Sequence, residues 1–176
     1  MDYIDTYDSP LGEITIASDG EALVGLWFEK QKYDKATLSD CERKPDDPVL
    51  AETRAWLDRY FEGNDPGPLP PVKPRGTEFR QRVWKHLAEI PYGQLTTYGE
   101  IASRIAEEAG GHASARAVGG GVGHNPISII LPCHRVVGSN GSLTGFGGGL
   151  PRKIALLKLE GVDMSNLTVP TKGTAL

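Results

Sequence analysis

The chain is predicted to fold as two small domains, an α/β domain over residues 1–75 and a mainly helical domain over residues 76–176 that carries a helix-turn-helix of winged-helix type and a small β-hairpin. Three observations predict this. β-rich runs flank Asp19-Gly20 and are followed by one stretch of helical periodicity. Residues 63–76 carry Pro66, Pro68, Pro70, Pro71 and Pro74, a stiff, extended composition expected of an interdomain linker. Beyond it, apolar residues recur at helical spacing in segments punctuated by glycine.

Taken in order, Glu13 to Ser18 and Ala22 to Phe28 are expected to pair as antiparallel strands across a two-residue Asp19-Gly20 turn. The polar stretch Lys30 to Asp47 reads as loop. Asp47-Pro48 opens a helix to about Phe61, because proline suits a first turn and Leu50, Ala51, Trp56, Leu57, Tyr60 and Phe61 fall mostly on one face. In the second half, Phe79, Val83, Leu87 and Ile90 predict a helix ending at Pro91-Tyr92-Gly93. Thr97 and Glu100 form a capping-box pattern for a helix to about Ala109. Gly110-Gly111 breaks it, and Ser114 caps a second helix to about Gly123, so that helix, glycine turn and helix give the helix-turn-helix outline.

That second helix contains Gly119, Gly120, Gly121 and Gly123, each costing up to about 1 kcal/mol against alanine. Glycines there imply tight packing or close approach of a ligand. Further on, Ser139-Asn140-Gly141 signals a hairpin between Arg135-Val136-Val137 and Ser142-Leu143. Gly145 to Gly149 reads as a mobile loop, Leu150-Pro151 starts a last helix to about Leu159, and Gly161 caps it. The tail, residues 163–176, is expected to be disordered.

The 176 residues, 39% of them hydrophobic, suit one or two compact domains, and no stretch approaches a membrane span. The acidic start lacks the features of a signal or transit peptide, which implies a cytoplasmic protein. Cys41 and Cys133 stand in different contexts and read as reduced thiols, with no zinc-site spacing. A net charge of −4 argues, taken whole, against nucleic-acid binding. The charge is uneven, however: residues 1–75 hold 9 basic against 16 acidic side chains, and residues 76–176 hold 10 against 7. Between Glu108 and Glu160 no acid occurs, while Arg116, Arg135, Arg152, Lys153 and Lys158 do. Such a segment suggests a surface facing a polyanion.

The apolar run Ile127 to Leu131 leads into Pro132-Cys133-His134-Arg135. A lone cysteine after apolar residues is ordinarily an inert core residue. Pro132 should break the strand and leave the thiol at a chain turn, and the adjacent cations would lower its pKa from about 8.5 toward neutrality. These features point to a nucleophile. Glu160, at the unfavourable negative end of the last helix, requires a buried or cationic partner, with His134 or Arg135 as candidates. Arg116, in the first turn of the glycine-rich helix, is equally misplaced for the dipole, and no nearby acid can pair with it locally.

Pro132 to Val136, together with Tyr92 to Glu100, Ala115 to Gly120 and Gly145 to Leu150, resembles the O6-alkylguanine-DNA alkyltransferases in order and spacing, strongly from Phe79 to Gly161. Ser9 to Gly12 and Gly25 to Phe28 resemble that family's N-terminal domain more loosely. The resemblance implies a ribonuclease-H-like first domain without a catalytic acidic cluster, and a monomer without cofactor or structural metal that binds duplex DNA through the minor groove. It further implies irreversible transfer of an alkyl group from guanine O6, or from thymine O4, to Cys133. By the same resemblance, water links Cys133 to His134, Glu160 orients His134, and Tyr98 protonates the leaving guanine. Ser114, Ala115, Arg116, Gly119 and Gly120 meet DNA, with Arg116 filling the space of the flipped base. Asn125 is a hinge, and Val136, Phe146 and Gly147 line the substrate pocket. Phe146-Gly147 replaces the Tyr-Ser of some members, so one hydroxyl that could bond O6 is missing. Competing readings are a non-catalytic damage-binding relative, which usually lacks the cysteine; a cysteine hydrolase, which needs a separate base and oxyanion hole; and a plain helix-turn-helix regulator, which leaves Cys133, His134 and Glu160 idle.

Overall fold

The computed structural model describes residues 1–170. The first half is a four-stranded sheet, β1 (Asp2–Ser9), β2 (Gly12–Ser18), β3 (Leu23–Phe28) and β4 (Cys41–Arg43), in the order β3-β2-β1-β4. Neighbours are antiparallel except for β1 and β4, which are parallel. Helix α1 (Pro48–Phe61) packs across the sheet, capped by the Asp47 carboxylate, which accepts from Leu50 N. The expected pairing of β2 with β3 is present, but the connection is a four-residue loop. Ser18 pairs with Leu23, and Asp19 holds the loop by accepting from the amides of Glu21 and Ala22.

Strand β1 lacks an apolar alternation and was not expected from the sequence. Two of its three acids are buried with partners: Arg75 forks onto both oxygens of Asp2 at 2.7 Å, and Arg54 reaches Asp5 at 2.7 Å. Such pairing is what lets carboxylates lie inside a sheet.

The second half has α2 (Glu78–Ala88), α3 (Tyr98–Ala109), α4 (Ala115–Gly123) and α5 (Leu150–Leu159), with Thr77, Thr97 and Ser114 as side-chain N-caps and Gly110 in the left-handed region ending α3. Glu100 turns to the Thr96 hydroxyl, so only half of the capping box forms. The expected β-hairpin is absent from the described residues. β6 (Val136–Val137) pairs in parallel with β5 (Thr96–Thr97), and Ser142 bridges to Thr168. Residues 163–170 are likewise not the disordered tail expected. Leu167 packs against Val137, Leu143 and Leu157, and Leu143 N donates to Thr168 O. Residues 171–176 lie outside the described range.

The outer edge of β3 is extended from both sides, and this positions the site. Leu23 bonds Pro71 and Lys73, while Leu26 bonds Pro126 and Ser128. The proline-rich segment and the segment before Cys133 are thus strapped to the same strand. One apolar core runs from Ile14, Leu26 and Leu57 through Trp84 and Val118 to Leu131 and Cys133.

Candidate active site

The apolar run before Cys133 forms turns instead of a strand, with Ile129 at φ 71°. A β-branched residue in that region costs about 1–3 kcal/mol and persists only where its surroundings impose it. Asn125 imposes it here, since its Nδ2 donates to Leu131 O at 2.7 Å and its Oδ1 accepts from Ile127 N at 3.0 Å. The chain then enters one 3₁₀ turn, Cys133–Arg135, in which successive side chains diverge by about 120°.

Cys133 is 3% exposed and His134 is fully buried. His134 Nε2 donates to Glu160 Oε2 at 2.5 Å, while His134 Nδ1 has no hydrogen-bond partner among the described residues. Both candidate partners of Glu160 are used: Arg135 Nε donates to Oε1 at 2.7 Å. Two further donors complete the carboxylate, Gly93 N to Oε1 at 2.9 Å and the Tyr60 hydroxyl to Oε2 at 2.6 Å. Burial opposes ionisation of Glu160, but the bonds from His134 and Arg135 outweigh it and bring its pKa down to about 2. Burial pushes His134 below its ordinary value, against the pull of Glu160.

The expected lowering of the Cys133 pKa is not found. Burial pushes the thiol up, only partly offset by the Asn125 amide and the Lys153 charge. The adjacent Arg135 is spent on Glu160 and on Ile90 O, so it offers the thiol little. The sequence presents Lys153 only as one of the cations of the acid-free segment. Lys153 is fully buried, donates to the carbonyls of Val136 and Thr144 at 2.6 Å each, and is brought by burial down to about 8. Tyr98, the first residue of α3, also donates to Thr144 O at 2.6 Å, and burial raises it to about 12.

Phe146 packs edge-on against His134 and, with Gly147, lines an open cleft of about 280 Å³ that also borders Gly119, Gly120 and Gly123. The α4 glycines divide into two kinds. A Cβ on Gly121 would meet Val83 at 3.0 Å, whereas at Gly120 and Gly123 it would meet nothing within 4 Å, and at Gly119 only the Tyr98 ring at 4.0 Å. Ser114, Ala115 and Arg116 are exposed at the start of the same helix, and Arg116 makes no ion pair among the described residues. Of the five cations in the acid-free segment, Arg135 and Lys153 are internal and Arg152 bonds Leu11 O and Glu29 O, leaving Arg116 and Lys158 exposed.

Tyr60, Lys153 and the Gly93 amide were missed from the sequence. A signal for Lys153 exists: Lys153, Leu156, Leu157 and Glu160 recur at the helical spacing of a buried stripe. Tyr60 gave none, since a tyrosine on an apolar face is ordinary.

The family model for the 6-O-methylguanine DNA methyltransferase ribonuclease-like domain matches residues 3–67, and that for its DNA binding domain matches residues 78–162. The chain belongs to the 6-O-methylguanine DNA methyltransferase family. A methylated-DNA–protein-cysteine methyltransferase of Haemophilus influenzae is 46% identical over 159 residues, 90% of this chain and 86% of the relative. One from Methanosarcina acetivorans is 43% identical over 90% of this chain and 98% of its own length. The crystal structure of Mycobacterium tuberculosis OGT in complex with DNA superposes with a TM-score of 0.76 at 41% identity, covering 94% of each chain. The architecture of the family is therefore a ribonuclease-like first domain followed by a helical DNA-binding domain, as the two halves of this chain are built.

Proposed function

We propose that this chain repairs DNA by transferring the alkyl group of O6-alkylguanine, and of O4-alkylthymine, to Cys133 in a single irreversible turnover. The observation that carries the reading is a buried cysteine directly before a histidine whose Nε2 is held by an ionised carboxylate and whose Nδ1 is left as an acceptor. In this reading His134 Nδ1 takes the Cys133 proton through a water, Sγ attacks the alkyl carbon, and the bond from that carbon to O6 breaks. Glu160 steadies the imidazolium that forms. Because burial keeps the resting thiol protonated, the nucleophile arises only when the base and a positioned substrate act together.

Tyr98 turns its hydroxyl from Thr144 O to the departing guanine and protonates it, and the resulting phenolate, with a pKa of about 12, takes a proton back from solvent. A backbone N–H at Phe146-Gly147 takes the place of the hydroxyl that some members supply. Val136 contributes backbone recognition of the guanine edge, with its carbonyl already fixed by Lys153.

The helices α3 and α4 act as the helix-turn-helix, with α4 in the minor groove. Support comes from Gly119, Gly120 and Gly123, which no protein contact requires to be small. Ser114, Ala115 and Arg116 lead that face, Arg116 occupies the place of the extruded nucleotide, and Asn125 ties α4 to the reactive segment. We place the domain boundary near residue 75, with residues 63–76 as the linker. We read the protein as a monomer. No helix of the described residues is long and apolar enough to cross a membrane.

The non-catalytic alternative is disfavoured by Cys133 itself, which that role does not need. The test is to incubate wild type, Cys133→Ser and Cys41→Ser with duplex DNA bearing one O6-methylguanine and to assay the lesion. Wild type and Cys41→Ser should remove it and Cys133→Ser should not. Repair by Cys133→Ser would overturn the assignment.

A further inference from the structure

We infer that Tyr60, contributed by the N-terminal half of the chain, is a positioning residue for alkyl transfer: its hydroxyl restrains the pull of Glu160 on His134 and so keeps the imidazole neutral and ready as a base. The inference rests on the roles proposed above for Cys133, His134 and Glu160.

Tyr60 is fully buried on α1 and cannot turn away. Its ring stacks on Trp56 at 5.5 Å and meets Phe61 and Tyr92 edge-on at 5.3 and 6.2 Å. The hydroxyl lies 2.6 Å from Glu160 Oε2 and 3.5 Å from His134 Nε2, so its one proton goes to the nearer, charged oxygen. His134 Nε2 donates to that same oxygen. Two donors therefore compete for Oε2. Without Tyr60 the carboxylate would concentrate on the Nε2 proton and stabilise the imidazolium more strongly. An imidazolium formed before substrate arrives has no free Nδ1 pair and cannot accept the thiol proton.

The other groups facing the pair do not duplicate this role. Arg135 and the Gly93 amide use Oε1, Tyr92 lies against Arg135 with its ring, and Lys153 acts on His134 only through its charge, its ammonium being bonded to Val136 O and Thr144 O. Phenylalanine would fill the same space without burying a polar atom, so packing alone does not call for the hydroxyl. The arrangement also makes the ribonuclease-like half part of the chemistry, since α1 supplies a hydrogen bond that the second half cannot complete alone.

The experiment is a single-turnover rate measurement on full-length wild type and Tyr60→Phe, with a duplex carrying one O6-methylguanine, from about pH 5 to pH 9. The acid limb of the profile reports proton uptake by His134. In Tyr60→Phe it should move to higher pH, by roughly half a unit to one unit, relative to that variant's own plateau. A uniform loss of rate with the limb in place would show a packing role and overturn the inference. Should Tyr60→Phe fail to fold, a fluorinated tyrosine placed at position 60 alone keeps the shape and donates more strongly. The limb should then move to lower pH, and an unmoved limb would again overturn the inference. Peptide mapping of the wild type separates the two levels. No methyl on Cys133 would defeat the underlying assignment, whereas a methylated Cys133 with an unmoved limb in the variant would defeat only the role of Tyr60.

Discussion

Trp84 on α2 donates its indole N–H to the Gly121 carbonyl in α4 across 2.9 Å, and Val83 on the same helix stands 3.0 Å from where a Gly121 Cβ would lie. Gly120, one residue earlier, faces open space. The two glycines should therefore respond oppositely to alanine. Gly121→Ala should cost about 1–3 kcal/mol through overpacking. Gly120→Ala should raise stability by up to about 1 kcal/mol, because a helical alanine replaces glycine without a clash, yet it should weaken duplex binding. Denaturant titration and DNA titration of both variants check this. Wild-type DNA affinity in Gly120→Ala would contradict a groove-facing α4.

Arg116 is exposed, makes no ion pair among the described residues, and lies on the same face as the open glycines. Arg116→Ala should slow repair in duplex DNA far more than reaction with free O6-benzylguanine, since only the duplex requires a base to be flipped. If Arg116 also touches phosphate, the slope of log affinity against log salt should fall by about 1. Equal losses on both substrates would remove Arg116 from the flipping step. With only Arg116 and Lys158 left exposed in the acid-free segment, the salt dependence should be shallower than its five cations suggest.

Glu160 is ionised in the fold down to about pH 2, against an ordinary carboxyl value of 4.5. A depressed folded pKa gives stability that is fully present above the unfolded value and lost as pH falls through the folded one. Stability from Glu160 should thus decline between pH 4.5 and about 2. His134, also lowered, acts in the same direction beginning nearer its ordinary 6.5, because the unfolded state takes up its proton first. Glu160→Gln should cost about 3–5 kcal/mol, flatten the acid denaturation curve and slow alkylation near neutrality. An unchanged pH–rate profile in a folded variant would leave Glu160 only a structural partner of Arg135.

Asn125 satisfies Leu131 O and Ile127 N and holds Ile129 in its strained conformation. Asn125→Ala should cost about 1–3 kcal/mol for each buried backbone group left unpaired. It should also slow reaction with the free base as well as with DNA, because the reactive turn loses its support. Retention of full activity toward free O6-benzylguanine would contradict that role.

Local signals in the sequence reached α1, α3 and α4 because Asp47, Thr97 and Ser114 each cap the turn that follows, which depends only on neighbours, and α2 through the spacing of Phe79, Val83, Leu87 and Ile90. They reached Cys133, His134 and Glu160 through a motif and a misplaced charge. They did not reach β1, whose acids find Arg75 and Arg54 across the fold, nor the pairing of β6 with distant β5 in place of a local hairpin. The thiol departs from expectation for the same reason. The sequence places Arg135 beside Cys133, but burial and the side chain's turn toward Glu160 decide the outcome. Tyr60 lies 100 residues from Glu160, and no periodicity records that contact.

In the proposed reaction Cys133 is a stoichiometric alkyl acceptor. Attack on an sp³ carbon leaves a thioether, which has no carbonyl for water to attack, and no group in the site can regenerate the thiol. Intact-mass analysis with peptide mapping, after incubation with excess duplex bearing O6-methylguanine, measures this directly. The expected result is one methyl per protein molecule, on the peptide containing Cys133, with repair ceasing at that point. Multiple turnovers by one molecule, or a methyl found only on Cys41, would contradict it.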